Sequence, residues 1–335
     1  MRRAAVVCIL FVFAMMMAGC GQGKQAESAP QTSAKSDASK QVKVGITQIV
    51  EHPALDSIRK GIIDQLAAEG YKDGTSMQLE YVNAQNDMNN VATIAQKMAA
   101  DHKDIIIPIT TPSAQAVVNQ AKDTPVVFSA VTDPVAAKIV PALDKPKANV
   151  TGTSDASPMD KQVELVHAFV PKLKNLGVIY NTGEVNASVQ VDMIEKAAQA
   201  KGIKVVRAGV TNSNEVKPGA ESLAGKVDAI LIPVDNTVVS SFESLLKAAN
   251  AAKIPVFASD SDTVKRGAVA TYGIDYYKLG KQTGVMAARV LRGEKPGDIP
   301  VETLKDVQLI VNAKAAQSFG LSIPEQLKAG AQIIK

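Results

Sequence analysis

From Val42 onward, short apolar runs alternate with longer Ala-rich or amphipathic stretches. The runs at Val42–Ile49, Met77–Val82, Ile105–Ile109, Pro125–Phe128, Asn149–Thr153, Leu176–Tyr180, Lys204–Ala208, Ala229–Val234, Pro255–Phe257, Ala268–Tyr272 and Val307–Val311 read as strands, most of them bounded by turn residues. Helices are predicted between them. One starts at Pro53 and stops at Gly70, one follows an Asp87 cap to about Ala100, and one follows a Ser157 cap and Pro158 to Phe169. Others span about Val185–Ala200 and Tyr276–Leu291, and Lys314–Leu327 is largely helical. Such alternation predicts an α/β fold with parallel sheets and helices on both faces.

One pattern occurs twice. Asp104–Pro134 and Asp228–Asp262 each run from an Asp through a Pro-containing apolar run, small polar residues and an Ala-rich helical stretch. Each then enters a second apolar run that ends in Ser, Thr or Asp. Each reads as a βαβ unit with buried strands. The carboxyl ends of parallel strands share one sheet edge, where open α/β sheets bind ligands. Two such units predict two similar lobes facing a cleft. The spacing differs, Pro108 to Pro125 against Pro233 to Pro255, so the likeness is an echo rather than a strict repeat.

Composition narrows the class. The chain has 335 residues, 46% hydrophobic and 4% aromatic, enough for two domains. Its charge of +4 falls to +2 once Arg2 and Arg3 are removed, and the basic residues are dispersed, so no nucleic-acid surface is marked. The cysteines are Cys8 and Cys20, which excludes disulfides and cysteine metal sites from the body. Residues 1–20 have a basic start, an apolar run and small residues before Cys20, the form of a secretory signal peptide. Residues 21–41 lack large apolar side chains and read as a disordered tether.

The strand ends carry the candidate chemistry. Thr110-Thr111-Pro112-Ser113 joins a strand to a helix; Thr111 would cap it, and the N–H groups of Ser113 and Ala114 with the hydroxyls would accept a carboxylate. Ser129 and Thr132 end the next strand beside it. Across the cleft stand Asp235, Asp260 and Asp262, and an acid opposite an anion site suits a zwitterion. Gln48, Glu51 and His52 end the first strand, Asn181 ends a strand of the second lobe, and Tyr272 stands near Tyr276 and Tyr277 where the chain re-crosses between lobes. The same Thr, Asp and His residues would serve as helix caps, and the sequence leaves both roles open. No G-x-G-x-x-G, Walker loop, H-E-x-x-H or G-x-S-x-G is present, and the carboxylates do not match a calcium loop, so no cofactor or metal is expected.

Taken together, GITQIVEHPALDSIRKG (45–61), TPSAQA (111–116), VFSAVTDP (127–134), NVTGTSD (149–155), PVDNT (233–237), VFASD (256–260) and YGIDYYKLGKQTGVM (272–286) resemble the bacterial ABC-transporter substrate-binding lipoproteins of the tryptophan/tyrosine-type branch. These have the type I periplasmic binding protein fold, and the likeness spans residues 42–335. It implies two Rossmann-like lobes, 42–152 with 275–304 and 153–274 with 305–335, and a ligand cleft between them. Met17-Ala18-Gly19-Cys20 resembles a lipobox, which implies a diacylglyceryl anchor on Cys20. The resemblance also implies that Ser113, Ala130 and Thr132 hold an α-carboxylate and Asp260 the α-ammonium of an amino acid, aromatic by the preference of the branch. The expected protein is an extracytoplasmic, membrane-anchored monomer that serves an ABC permease and is not an enzyme. A sensory protein using the same cleft, or a surface hydrolase using Asp and His, are the alternatives.

Overall fold

The computed structural model describes residues 41–335 except Lys147, Lys305 and Asp306. The signal peptide, Cys20 and nearly all of the tether lie outside the described residues. In chain order the elements are β1 (Val42–Gln48), α1 (Pro53–Ala68), β2 (Met77–Asn83), α2 (Met88–Ala100), β3 (Ile105–Ile109), α3 (Thr111–Gln120), β4 (Val126–Phe128) and β5 (Val150–Ser154). Next come α4 (Met159–Phe169), β6 (Asn175–Asn181), α5 (Val185–Gln199), β7 (Lys204–Val210), α6 (Val216–Ser222), β8 (Ala229–Ile232), α7 (Asn236–Ser240), α8 (Phe242–Ala252), β9 (Val256–Ala258), α9 (Ser261–Lys265) and β10 (Ala270–Ile274). The last are α10 (Tyr276–Leu291), β11 (Glu302–Thr303), β12 (Val307–Asn312), α11 (Ala313–Ser318), α12 (Glu325–Lys328) and β13 (Ala331–Ile334).

Three sheets result. The first, ordered β11-β5-β4-β3-β1-β2, is parallel throughout. The second, β7-β6-β8-β9, is also parallel. The third departs from the parallel expectation, since β10 and β12 pair antiparallel while β12 and β13 pair parallel. The reason lies in the path of the chain: it leaves on β10, forms α10 and β11 against the first sheet, and returns on β12 from the same end.

Each parallel sheet has apolar side chains on both faces, as its continuous apolar runs require. β3, IIIPI, is buried at every position. One core surrounds the first sheet and takes in α1 and α10, and two cores lie around the second. α1 and α10 approach through glycines: a Cβ on Gly61 would stand 2.3 Å from Tyr277 O, and one on Gly280 2.2 Å from Ile58 O.

Several local expectations are corrected. Thr110, not Thr111, is the N-cap of α3, and no side chain caps that helix. α4 is preceded by Pro158, again without a side-chain cap, because Ser157 instead accepts from Gln162 Nε2 at 3.1 Å. The stretch 314–327 is two short helices separated at Gly320, which has φ +72°, and Pro324. The two βαβ units differ in their helices. The first uses α3 alone, whereas the longer spacing of the second is taken up by a break at Ser241 between α7 and α8.

Candidate functional site

Both βαβ units end at one cavity. Its first wall comes from the first sheet: His52, Ala54 and Leu55 after β1, Thr110 and Thr111 after β3, Ala130 and Thr132 after β4. Its second wall is Asn186 of α5, Val234, Asp235, Asn236 and Val239 around the start of α7, and Asp260 after β9. Asp155, directly after β5, and Tyr276, opening α10, complete it. This is the strand-end crevice where open α/β sheets bind ligands.

The backbone is bent to make the first wall. Thr110 has φ +80° and Ala130 φ +54°, a left-handed region that non-glycine residues enter only when the surroundings hold them there. For β-branched Thr110 this is a particular strain, and it turns β3 into α3 so that the first turn of the helix opens on the cavity.

Polar atoms without partners gather here. Among the described residues, eight buried side-chain polar atoms lack a hydrogen bond, and five belong to cavity residues: His52 Nδ1, Thr110 Oγ1, Thr111 Oγ1, Asn186 Oδ1 and Asp260 Oδ2. A sixth, Ser113 Oγ, sits on the adjoining turn of α3. Each such atom costs about 1–3 kcal/mol when left unmade, so their convergence on one cavity marks a site that a ligand completes. The walls differ in character. On the first, hydroxyls join the free N–H groups of the α3 start and suit an anion. On the second and at the junction stand carboxylates.

Three of these carboxylates are buried, Asp155, Asp235 and Asp260, each at most 3% exposed. Burial pushes all three above the usual carboxylate range. Among the described residues none is ion-paired with a Lys or Arg. Asp235 has both oxygens engaged, accepting from Val238 N at 2.8 Å as the α7 cap and from Asn181 N. Its shift is reinforced by Glu184, a buried carboxylate that itself accepts from Thr237 N and Asn236 Nδ2. Asp260 caps α9 through one oxygen, accepting from Thr263 N at 2.7 Å, and keeps the other free. Asp262 stays outside the cavity and pairs with Lys265 at 2.9 Å. Asp155 accepts from Thr132 Oγ1 at 2.9 Å and from Tyr276 Oη at 3.3 Å.

His52 occupies the α1 N-cap position without capping, and its buried Nδ1 has no hydrogen bond. Burial, with Arg266 adding to it, lowers its pKa to about 3, so the imidazole is neutral at physiological pH. Arg266 is turned away, bonded to Glu243 and to Val239 O.

Of the residues singled out in the sequence, His52, Thr111, Ala130, Thr132, Asp235 and Asp260 line the cavity, with Ser113 close behind. The others lie elsewhere. Gln48 is buried beneath the wall and donates to Val50 O and Asp56. Glu51 is exposed, accepting from Tyr81 Oη at 3.1 Å. Ala114 is buried in α3 with its N–H donated to Thr110 O at 3.0 Å, so it is not free for an anion, and Ser129 is bonded to Thr283 at 2.8 Å in the packing of α10. Asn181 donates to Thr237 at 2.8 Å. Tyr272 packs into the core of the second sheet with its N–H on Gln162, and Tyr276 takes the cavity place. Leu55, Asp155, Asn186 and Val239 were not singled out, and Thr110 stood only as part of the Thr110–Ser113 motif. Asp155 alone carried a signal, standing at the end of the NVTGTSD segment after a strand.

Two lobes with a polar cavity at their facing strand ends define a solute-binding protein of the type I periplasmic fold. Comparison with known proteins agrees: a model of the family described as ABC transporter substrate binding protein matches residues 43–335, and the chain belongs to that family. Its members work outside the cytoplasm with an ABC transporter. The chain is 47% identical over 306 residues to a protein of Clostridioides difficile named tyrosine-binding protein, covering 91% of this chain and 88% of that one. It superposes at TM-score 0.85 on an ABC domain in complex with L-Trp from Streptococcus pneumoniae, 39% identical, covering 88% of this chain and 100% of that one. A ligand-free, open substrate binding protein with adhesive properties from Clostridium difficile is 48% identical, covers 88% and 99%, and superposes at only 0.66. Greater identity thus goes with the poorer superposition. Among the described residues no helix is long and apolar enough to cross a membrane.

Proposed function

We propose that this protein is an extracytoplasmic receptor, lipid-anchored through Cys20, that closes on an aromatic amino acid and presents it to an ABC permease as a monomer, without turning it over. The observation that carries the reading is the opposition of unpartnered groups: hydroxyls and a helix start on one wall, a free carboxylate oxygen of Asp260 on the other. An α-carboxylate satisfies the first and an α-ammonium the second. Asp260 is the ammonium partner in this reading, because it keeps an oxygen with no partner, whereas both Asp235 oxygens already accept from backbone N–H groups and Asp262 pairs with Lys265 outside the cavity. Ala54, Leu55, Val234 and Val239 leave an apolar space for the side chain. The named relative and the L-Trp complex support the aromatic class.

The lobes of this reading are 42–152 with 275–304 and 153–274 with 305–335. Asn86 Nδ2 reaches Thr237 Oγ1 at 3.4 Å from one lobe to the other, and the closer likeness to the L-Trp complex than to the open structure suits a closed arrangement. Closure needs only that ligand bind the closed state better than the open one.

The test is the thermal shift of the full chain with the twenty amino acids, nucleosides, sugars and organic acids. A ligand at about 100-fold its dissociation constant stabilises by ~2.7 kcal/mol, which a melting curve resolves. The expected shift is confined to Trp, Tyr or Phe; no shift with any amino acid, and none carried through purification by mass spectrometry, would sink the proposal.

His52 tunes this selectivity. A buried neutral imidazole whose Nδ1 has no partner favours a side chain with a polar tip over a bare phenyl ring, since an unmet polar group costs ~1–3 kcal/mol. His52→Leu is expected to weaken Tyr or Trp by about that amount while leaving Phe nearly unchanged, measured by calorimetry. Equal losses for all three would remove His52 from selectivity.

A further inference from the structure

Asp155 is left without a task by a grip that uses Asp260 alone. It follows β5 directly, where the chain quits the first sheet, and Tyr276 opens α10, where the chain comes back to it. The two side chains meet there, Tyr276 Oη donating to one Asp155 oxygen at 3.3 Å and Thr132 Oγ1 to the other at 2.9 Å. Each oxygen therefore has one donor and room for another. The carboxylate is 3% exposed, lines the cavity, and has no Lys or Arg beside it among the described residues. It lines the same cavity as Asp260, whose charge adds a little to the burial that raises the Asp155 carboxyl. A cation between two buried carboxylates favours the ionised form of both, and Asp260 offers an oxygen with no partner at all.

We propose that the ligand's ammonium is shared by Asp155 and Asp260, so that the segment crossing between the sheets carries half of the grip. This rests on the zwitterion reading above. The consequence is a continuous chain of contacts, Thr132 to Asp155 to ammonium to Asp260, that ties the first sheet, the crossing and the second sheet together. Charge on the ligand then favours the closed arrangement directly. A ligand that lacks the ammonium would fill the cavity without drawing Asp260 towards the crossing.

The experiment is calorimetry of the full chain, as wild type, Asp155→Asn and Asp260→Asn. The probes are L-tryptophan, L-tyrosine and their des-amino counterparts, 3-indolepropionate and 3-(4-hydroxyphenyl)propionate. Wild type is expected to prefer the amino acid by at least about 100-fold, as a hydrogen-bonded charge pair warrants. Asp155→Asn should cut that preference by at least about tenfold and change des-amino binding less than threefold. Asp260→Asn should do the same. If Asp155→Asn does not fold, Tyr276→Phe stands in for it, since loss of its O–H destabilises the ionised Asp155; it should lower the preference at least about threefold. The proposal is overturned if Asp155→Asn keeps the wild-type preference, or weakens both kinds of ligand equally, which is a purely structural role. It is likewise overturned if Asp260→Asn alone is effective, so that Asp155 does not meet the ammonium. Failure of wild type to bind either amino acid rejects the zwitterion reading itself.

Discussion

Asp260→Asn should bind its amino acid about 2–4 kcal/mol more weakly than wild type yet melt higher when ligand-free. The two effects have one origin. The amide keeps the acceptor that caps α9 at Thr263 N, and Asn caps as well as Asp, so the fold is not disturbed. What changes is the charge. Burial holds the folded Asp260 carboxyl above its ordinary 3.8, so the folded protein binds its proton more tightly than the unfolded chain does. Stability from this group is therefore full below pH 3.8 and is lost as pH rises through the folded value. At neutral pH the ionised carboxylate burdens the ligand-free protein, and the ligand's ammonium offsets that burden. The melting-point gap between Asp260→Asn and wild type should thus widen from about pH 4 upward without ligand and reverse with ligand at saturation. Comparing the two proteins isolates this group from the surface carboxylates, whose pairing with Lys and Arg shifts them the other way. Unchanged affinity together with an unchanged melting point would remove Asp260 from the site.

Gly280→Ala should cost about 3 kcal/mol of stability, or roughly 5 °C of melting temperature for a body of this size, at the upper end for overpacking. The new methyl would stand 2.2 Å from Ile58 O and 2.9 Å from Ile58 C. Both are backbone atoms, so no rotamer change relieves the clash, and α10 must move off α1. Tyr276 stands at the head of α10 and lines the cavity, so ligand affinity should fall with stability. Gly330→Ala is the control: its Cβ meets nothing within 4 Å, and a change near zero is expected. A melting point for Gly280→Ala within about a degree of wild type would mean that the helices tolerate separation.

The division between sequence and tertiary structure follows from the range of the forces concerned. Apolar runs mark buried parallel strands because burial on both faces demands them, so β1, β3, β4, β6, β8 and β9 were legible. Asp87 capping α2 was legible too, since its acceptor serves Asn89 N and Asn90 N a few residues on. The repeated βαβ pattern placed Thr111, Thr132, Asp235 and Asp260 at strand ends, and the cavity is built from them. The third sheet was hidden, because α10 and β11, which lie between β10 and β12 in the chain, fold against another sheet, and only the return path sets the direction of β12. Tyr272 and Tyr276 looked alike in the chain; which of them meets the cavity depends on where β10 ends and how α10 leans on α1 through Gly280. The sequence by itself therefore determined most of the elements, the two-lobed class and the strand ends that hold chemistry. Only the tertiary structure decided which polar atoms are left without partners and which carboxylates stand buried together, because pairing and desolvation depend on residues distant in the chain.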